Sequence, residues 1–205
     1  MNPAEGAVAA AYDARAAEYT ALAGDLAQMD PRDIVTVRAW RDGTAGSLLD
    51  AGCGPGQWAA LLAEGGGEVY GIDLSSAFVA AARSRHPGIR FEVGSFHALP
   101  CEDSSLGGIL AWYSLIHTSP TEMPLVLAEF ARVLRPAGSI LLGFFDGEPR
   151  EPFAHAVTTA YLWSSDALGA LLTDAGFHVE RSESRERVPG EISARPHGAL
   201  VARRV

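Results

Sequence analysis

Leu48-Leu49-Asp50-Ala51 runs directly into Gly52-Cys53-Gly54-Pro55-Gly56, and a second apolar run, Val69-Tyr70-Gly71-Ile72, ends at Asp73. Glycines placed just after a hydrophobic segment let the backbone come close to a ligand, because no Cβ blocks the contact. A carboxylate one strand later falls where a ribose would present two hydroxyls. Together these residue types suit a nucleotide-like cofactor. A turn built for a diphosphate is spaced G-x-G-x-x-G. Here Gly52, Gly54 and Gly56 follow G-x-G-x-G, and Gln57 comes next. The competing reading is a tight strand-to-helix turn that binds nothing. Asp73, at the end of the following strand, weighs against it.

Acid–base chemistry has one leading candidate. His117 follows the fourth apolar run, and an imidazole near its ordinary pKa can take a proton from a hydroxyl or amine. A structural histidine bonded to backbone at a loop turn is the alternative. His155 is a second, weaker candidate, in an aromatic-rich stretch that also holds Phe145, Phe153, Tyr161 and Trp163. Tyr12 and Tyr19 lie seven apart, which puts both on one face of an N-terminal helix, either as part of a pocket or as a core stripe.

The elements that must position these groups alternate along the chain. Residues 6 to 41 are alanine-rich and lack strand patterning. Val8, Tyr12, Ala16, Tyr19 and Leu22 recur at helical spacing, and Pro31 opens a second helix ending near Trp40. Strands are predicted at 47–51, 68–72, 89–93, about 108–112, 139–145, 177–181 and 199–203. Helices are predicted from Pro55 to Ala63, from Ser75 or Ser76 to just before His86, over 121–134, and over 165–175. Repeated strand–helix units mean a mostly parallel α/β sheet covered on both faces, with right-handed crossovers. A ligand then sits at the carboxyl ends of the strands, at the switch in strand order. The Arg181–Arg187 run reads as a solvated strand edge of mixed charge.

Composition narrows the function classes. The 205 residues suit one domain, spanning 1–205. Sixteen basic and 25 acidic residues give a net charge of −9, which argues against binding a nucleic-acid backbone. All 16 basic residues are arginine, so lysine-dependent Schiff-base chemistry is excluded. No apolar run approaches the roughly 20 residues of a membrane span. The N-terminus lacks a basic region and an apolar core, so a cytoplasmic protein is expected. Cys53 and Cys101 have no metal-ligand or redox-motif spacing and read as reduced thiols.

The segments themselves resemble one family. Leu49–Gly56 is similar to the first motif of the class I S-adenosylmethionine-dependent methyltransferases. Val69–Ser75 resembles their second-strand motif, Phe91–Phe96 the third and Trp112–His117 the fourth, and Leu127–Gly138 resembles the approach to their fifth strand. The resemblance implies a Rossmann-like, doubly wound sheet of seven strands whose last strand is antiparallel. It also implies S-adenosyl-L-methionine as cofactor. Asp50 and the backbone of Gly52 and Gly54 would face its methionine part. Asp73 would hold both ribose hydroxyls, and Leu74 would pack on the adenine. Ser95 stands where many relatives carry an aspartate for the adenine amino group. Its hydroxyl or the Phe96 amide would take that role. Ala111 and Trp112 would present a backbone carbonyl to the cofactor's amino group. Residues 1–45 would form a helical cap, with Tyr12 against the cofactor carboxylate or the acceptor pocket, and 146–164 would form an acceptor lid. His117 would face the transferable methyl. The expected reaction is in-line transfer to an oxygen or nitrogen of a small molecule, releasing S-adenosylhomocysteine. The alternative is a cofactor-binding relative that catalyses a cyclisation or rearrangement, or only binds. A nicotinamide enzyme is disfavoured by the glycine spacing.

Overall fold

A computed structural model describes residues 2–188 and 195–205. β1 (Leu48–Ala51) lies inside its sheet, buried at every position. Such continuous burial is what a strand covered on both faces requires. β1 lies between β2 (Val69–Asp73) and β4 (Leu106–Trp112), parallel to both. β3 (Arg90–Val93) extends the sheet beyond β2. On the other side come β5 (Leu134–Phe145), β9 (His197–Arg204) and β8 (Phe177–Arg185), giving the order β3-β2-β1-β4-β5-β9-β8. β9 runs antiparallel to both of its neighbours, so the seven-stranded sheet with an antiparallel last strand is as the sequence implied. β8 forms the exposed edge expected for the arginine–glutamate run.

Alternation along β4 divides the core. Ile109 and Ala111 face a layer containing Leu127 and Phe130 of α6 (Met123–Val133) and Leu168 and Leu172 of α7 (Ser165–Asp174). Leu110 and Trp112 face the other layer. There Val37 and Trp40 come from α3 (Pro31–Asp42), Trp58 and Leu61 from α4 (Gln57–Ala63), and Val79 from α5 (Ser76–Arg85). No helix among the described residues is long and apolar enough to cross a membrane.

Several sequence expectations need correction. The N-terminal segment is two helices, α1 (Pro3–Asp13) and α2 (Ala16–Ala23), because Arg15 leaves helical geometry with φ −118° and ψ 7°. Tyr12 and Tyr19 therefore sit on different helices, though their rings still meet edge to face at 6.2 Å. The α4 helix begins at Gln57 and not at Pro55, since Gly56 before it has φ 92°. β5 starts at Leu134, five residues earlier than expected. Leu134 already pairs with Leu106, and the register shifts before Gly108 pairs with Ser139. Pro136-Ala137-Gly138 is accommodated as an irregularity inside the strand, with Ala137 at φ 60°. Within the aromatic stretch after β5, β6 (Pro152–Ala154) and β7 (Thr159–Tyr161) form a small separate hairpin that the strand pattern did not include.

Candidate active site

The crevice lies over the carboxyl ends of β3, β2, β1 and β4, where the strand order switches. Gly52 has φ +80°, and a Cβ there would lie 2.2 Å from the Ser114 Cβ, so the loop after β4 seats directly on the turn after β1. Gly54 has φ +50° with open space above its Cα. The Gly54 amide donates to the Asp73 Oδ2 at 2.9 Å and the Ser75 amide to Oδ1 at 2.8 Å. One carboxylate thus fixes the glycine turn and the start of α5 together, and it retains lone pairs for a further donor.

Two carboxyls share this floor. Burial pushes the Asp50 carboxyl up to about 8, with nearby Asp73 adding to the rise and the Ala59 amide opposing it. Burial likewise raises Asp73 to about 6, against the amides that bond it. Among the described residues, Asp50 Oδ2, Gln57 Oε1 and Ser114 Oγ are buried with no hydrogen-bond partner. Leaving a buried polar atom unmatched costs about 1–3 kcal/mol. Three such atoms around one glycine turn, among them the Gln57 carbonyl oxygen and an Asp50 carboxyl oxygen that a cation would ionise, fit a ligand end that is cationic and rich in N–H donors. The ammonium and sulfonium of an S-adenosylmethionine-type cofactor match this set, and a diphosphate would not.

Along the crevice toward β3, Leu74 is half-buried, Ser95 is buried and Phe96 packs its ring on Phe130 at 6.0 Å. The Ser95 hydroxyl donates to the Glu5 carboxylate and accepts from the His97 amide at 3.0 Å. At the β4 end Ala111 and Trp112 are buried and pair with Leu142 and Gly143, and the Trp112 indole meets Trp58 edge to face.

Helix α1 closes over this row. Asp13 at its end accepts from the Ser75 hydroxyl at 2.5 Å, the Ala77 amide at 3.1 Å and the Ser76 hydroxyl at 3.2 Å. Tyr12 packs on Phe78 at 5.6 Å and reaches across to His117, where its hydroxyl lies 3.0 Å from Nε2. The His117 Nδ1 is 2.7 Å from the Thr159 carbonyl in β7. A carbonyl only accepts, so Nδ1 carries the proton, Nε2 keeps its lone pair, and Tyr12 donates to it. Burial holds the His117 pKa below its ordinary value, and burial holds the Tyr12 phenol well above its own. His155 meets the His117 ring edge to face at 5.2 Å. Burial comes first, then electrostatic coupling to His117, Arg15 and Arg195, in lowering His155 to about 4. Phe145 and Phe153, 5.7 Å apart, continue this aromatic wall. A separate groove of about 600 Å³ between α3 and the β8–β9 edge has Trp112 and Tyr113 among its lining residues.

The structure brings together Asp50, Gly52, Gly54 and Asp73 in the floor and Tyr12 with His117 above it. Sequence reasoning missed Glu5, Asp13, Gln57 and Ser114. Asn2-Pro3-Ala4-Glu5, an N-cap residue with a glutamate three positions on, is a helix-start signature that would have placed Glu5. No cluster of three metal-ligating side chains occurs among the described residues.

Comparison with known proteins bears on the family and the fold. A family profile described as a methyltransferase domain matches residues 48–138. A malonyl-[acyl-carrier protein] O-methyltransferase of Erwinia billingiae is 31% identical over 135 residues, 66% of this chain and 52% of the relative. The chain therefore spans about half the length of that relative. Two solved structures share the fold. The [4+2]-cyclase SpnF has a TM-score of 0.81 and 21% identity, over 100% of this chain and 97% of that one. The 1,6-didemethyltoxoflavin-N1-methyltransferase of Burkholderia thailandensis was solved with 1,6-didemethyltoxoflavin and S-adenosylhomocysteine. It has a TM-score of 0.75 and 24% identity, over 100% of this chain and 91% of that one. Fold and site together define a Rossmann-like methyltransferase domain. The profile and the relatives support a class I S-adenosylmethionine-dependent methyltransferase, with S-adenosyl-L-methionine as the cofactor.

Proposed function

We propose that this protein transfers the methyl group of S-adenosylmethionine to an oxygen or nitrogen of a small molecule. The observation that carries this reading is the Tyr12–His117–Thr159 chain, which fixes an imidazole lone pair above the cofactor floor. When bound, the sulfonium supplies an already activated methyl, so the protein must align an acceptor, exclude water and remove a proton. Asp50, Gln57 and Ser114 are the groups for the cofactor's amino-acid end, together with the backbone of Gly52, Gly54, Ala111 and Trp112. Asp73 is the group for its ribose, and Leu74 and Phe96 are apolar surface for its base. His117 Nε2 is the proton sink. Tyr12 relays to it, passing its own proton to Nε2 as it takes the acceptor's. The phenol's raised pKa keeps it from resting as phenolate, which suits a concerted relay. Phe145, Phe153 and His155 make a wall suited to a flat acceptor. Segment 146–164 is the lid in this reading.

Incubation with the cofactor and a panel of phenols, carboxylic acids and heterocyclic amines tests it. Equal amounts of S-adenosylhomocysteine and methylated product are expected. A second reading is favoured by the full-length likeness to a cyclase: the cofactor binds and methyl transfer is absent. Cofactor binding with no S-adenosylhomocysteine formed with any acceptor class would select that reading.

A further inference from the structure

We infer that Glu5, carried on α1, reads the exocyclic amino group of the cofactor's adenine, so that base selection and closure of the N-terminal helix are one event. This rests on the cofactor assignment and adds a residue to it. The crevice orders the ligand by the sheet. The unmatched polar atoms after β1 and β4 take the ammonium of the amino-acid end, and Asp73 at the end of β2 takes the ribose. An extended nucleoside then places its base over the end of β3, among Leu74, Ser95 and Phe96.

That end of the sheet offers a poor acceptor of its own. The Ser95 hydroxyl already donates to Glu5 and accepts from the His97 amide. The anionic acceptor there is Glu5 itself. Its Oε2 takes the Asn2 amide at 2.8 Å, and the Asn2 Oδ1 takes the Glu5 amide at 2.9 Å, a reciprocal cap that fixes the side chain at the start of α1. The Asn2 Nδ2 donates to the Glu122 Oε1 at 3.0 Å, and the His97 Nε2 lies 3.9 Å from both glutamates. The Glu5 side chain is only 12% exposed. A carboxylate oxygen accepts more than one hydrogen bond, so Oε1 can hold Ser95 and a 6-amino N–H together. A 6-oxo base would instead turn a carbonyl toward a carboxylate, and a site built for one hydrogen-bond polarity rejects the reverse.

Calorimetric dissociation constants for S-adenosylhomocysteine and S-inosylhomocysteine test the assignment without any turnover. The unaltered protein is expected to prefer the adenine compound by roughly tenfold or more. Glu5→Gln, whose amide can donate to a 6-oxo group, should bring the ratio close to one. Asn2→Ala loosens the helix start and keeps the carboxylate, so both affinities should fall with the ratio intact. The double variant Glu5→Gln/Ser95→Asp should regain preference for the adenine compound, with the carboxylate now on the sheet. A Glu5→Gln variant that keeps the full ratio, whatever its absolute affinities, overturns the assignment and leaves Glu5 as a helix cap. Binding of neither nucleoside by the unaltered protein overturns the cofactor assignment as well. Thermal melting of each variant shows whether it is folded.

Discussion

Tyr12 and His117, 105 positions apart in sequence, meet through a 3.0 Å contact between the phenolic oxygen and Nε2. The contact ties the N-terminal helix to the loop after β4 and sets the imidazole tautomer jointly with the Thr159 carbonyl. His117→Ala should lower kcat by roughly 10²-fold or more while leaving the cofactor's dissociation constant nearly unchanged. Turnover at the unaltered rate would assign the histidine to loop structure alone.

The pH profile gives a second check on that pair. Burial depresses the His117 pKa below 6.5, so the imidazole is neutral and able to act as a base throughout the neutral range. The unaltered enzyme should hold a flat kcat above pH 7 and lose it on the acid side, with an inflection below 6.5. Tyr12→Phe removes the donor that stabilises the neutral ring, so the inflection should move upward. An inflection unmoved in Tyr12→Phe would separate the phenol from the proton path.

Asp73 joins the Gly54 amide to the Ser75 amide, and its remaining lone pairs are the ones proposed for the cofactor's ribose. Asp73→Ala should weaken cofactor binding by about 1.5–3 kcal/mol, the range for hydrogen bonds to a charged group. Calorimetry with S-adenosylhomocysteine measures it. An unchanged constant would remove Asp73 from the ligand's contacts.

Why these groups were legible and others were not follows from sequence distance. Asp50, Gly52, Gly54 and Asp73 lie on two consecutive strand–turn–helix units, so local pattern alone puts them on one rim. Glu5 and Asp13 reach the same rim only because α1 folds back across it, and their partners Ser95 and Ser75 are 90 and 62 positions away. Ser114 was hidden for another reason. Its closeness to Gly52 is visible only once β1 and β4 are neighbours. The split between α1 and α2 was also unreadable, because Val8, Tyr12, Ala16 and Tyr19 keep one period across a break set by the backbone of Arg15.

The latch at Asp13 is testable by stability and by kinetics. Its carboxylate supplies hydrogen-bond acceptors to the first turn of α5 from a different helix. Asp13→Ala should cost about 0.5–2 kcal/mol, the usual value of a lost cap, read from denaturant midpoints. It should also speed release of S-adenosylhomocysteine in stopped-flow measurements, because α1 is then held at one fewer point. Loss of stability with release unchanged would leave Asp13 a cap and not a latch.

Asp50 sets binding against stability. Its folded pKa of about 8 exceeds the ordinary 3.8, so the unliganded folded state binds a proton that the unfolded chain has released. The stabilisation is present below about pH 4 and is lost as pH rises toward 8. A cationic ligand favours the ionised form, so cofactor binding at pH 7 should expel up to about one proton from this site. Calorimetry in two buffers of different ionisation enthalpy measures that proton directly. Asp50→Asn should abolish the release and weaken cofactor binding. The same substitution should raise the melting temperature of the unliganded protein at pH 8, by about 2–4 °C for each kcal/mol recovered, because no carboxylate is left to ionise in the core. Proton release that persists in Asp50→Asn would place the coupled titration on Asp73, whose raised pKa makes it the neighbouring source.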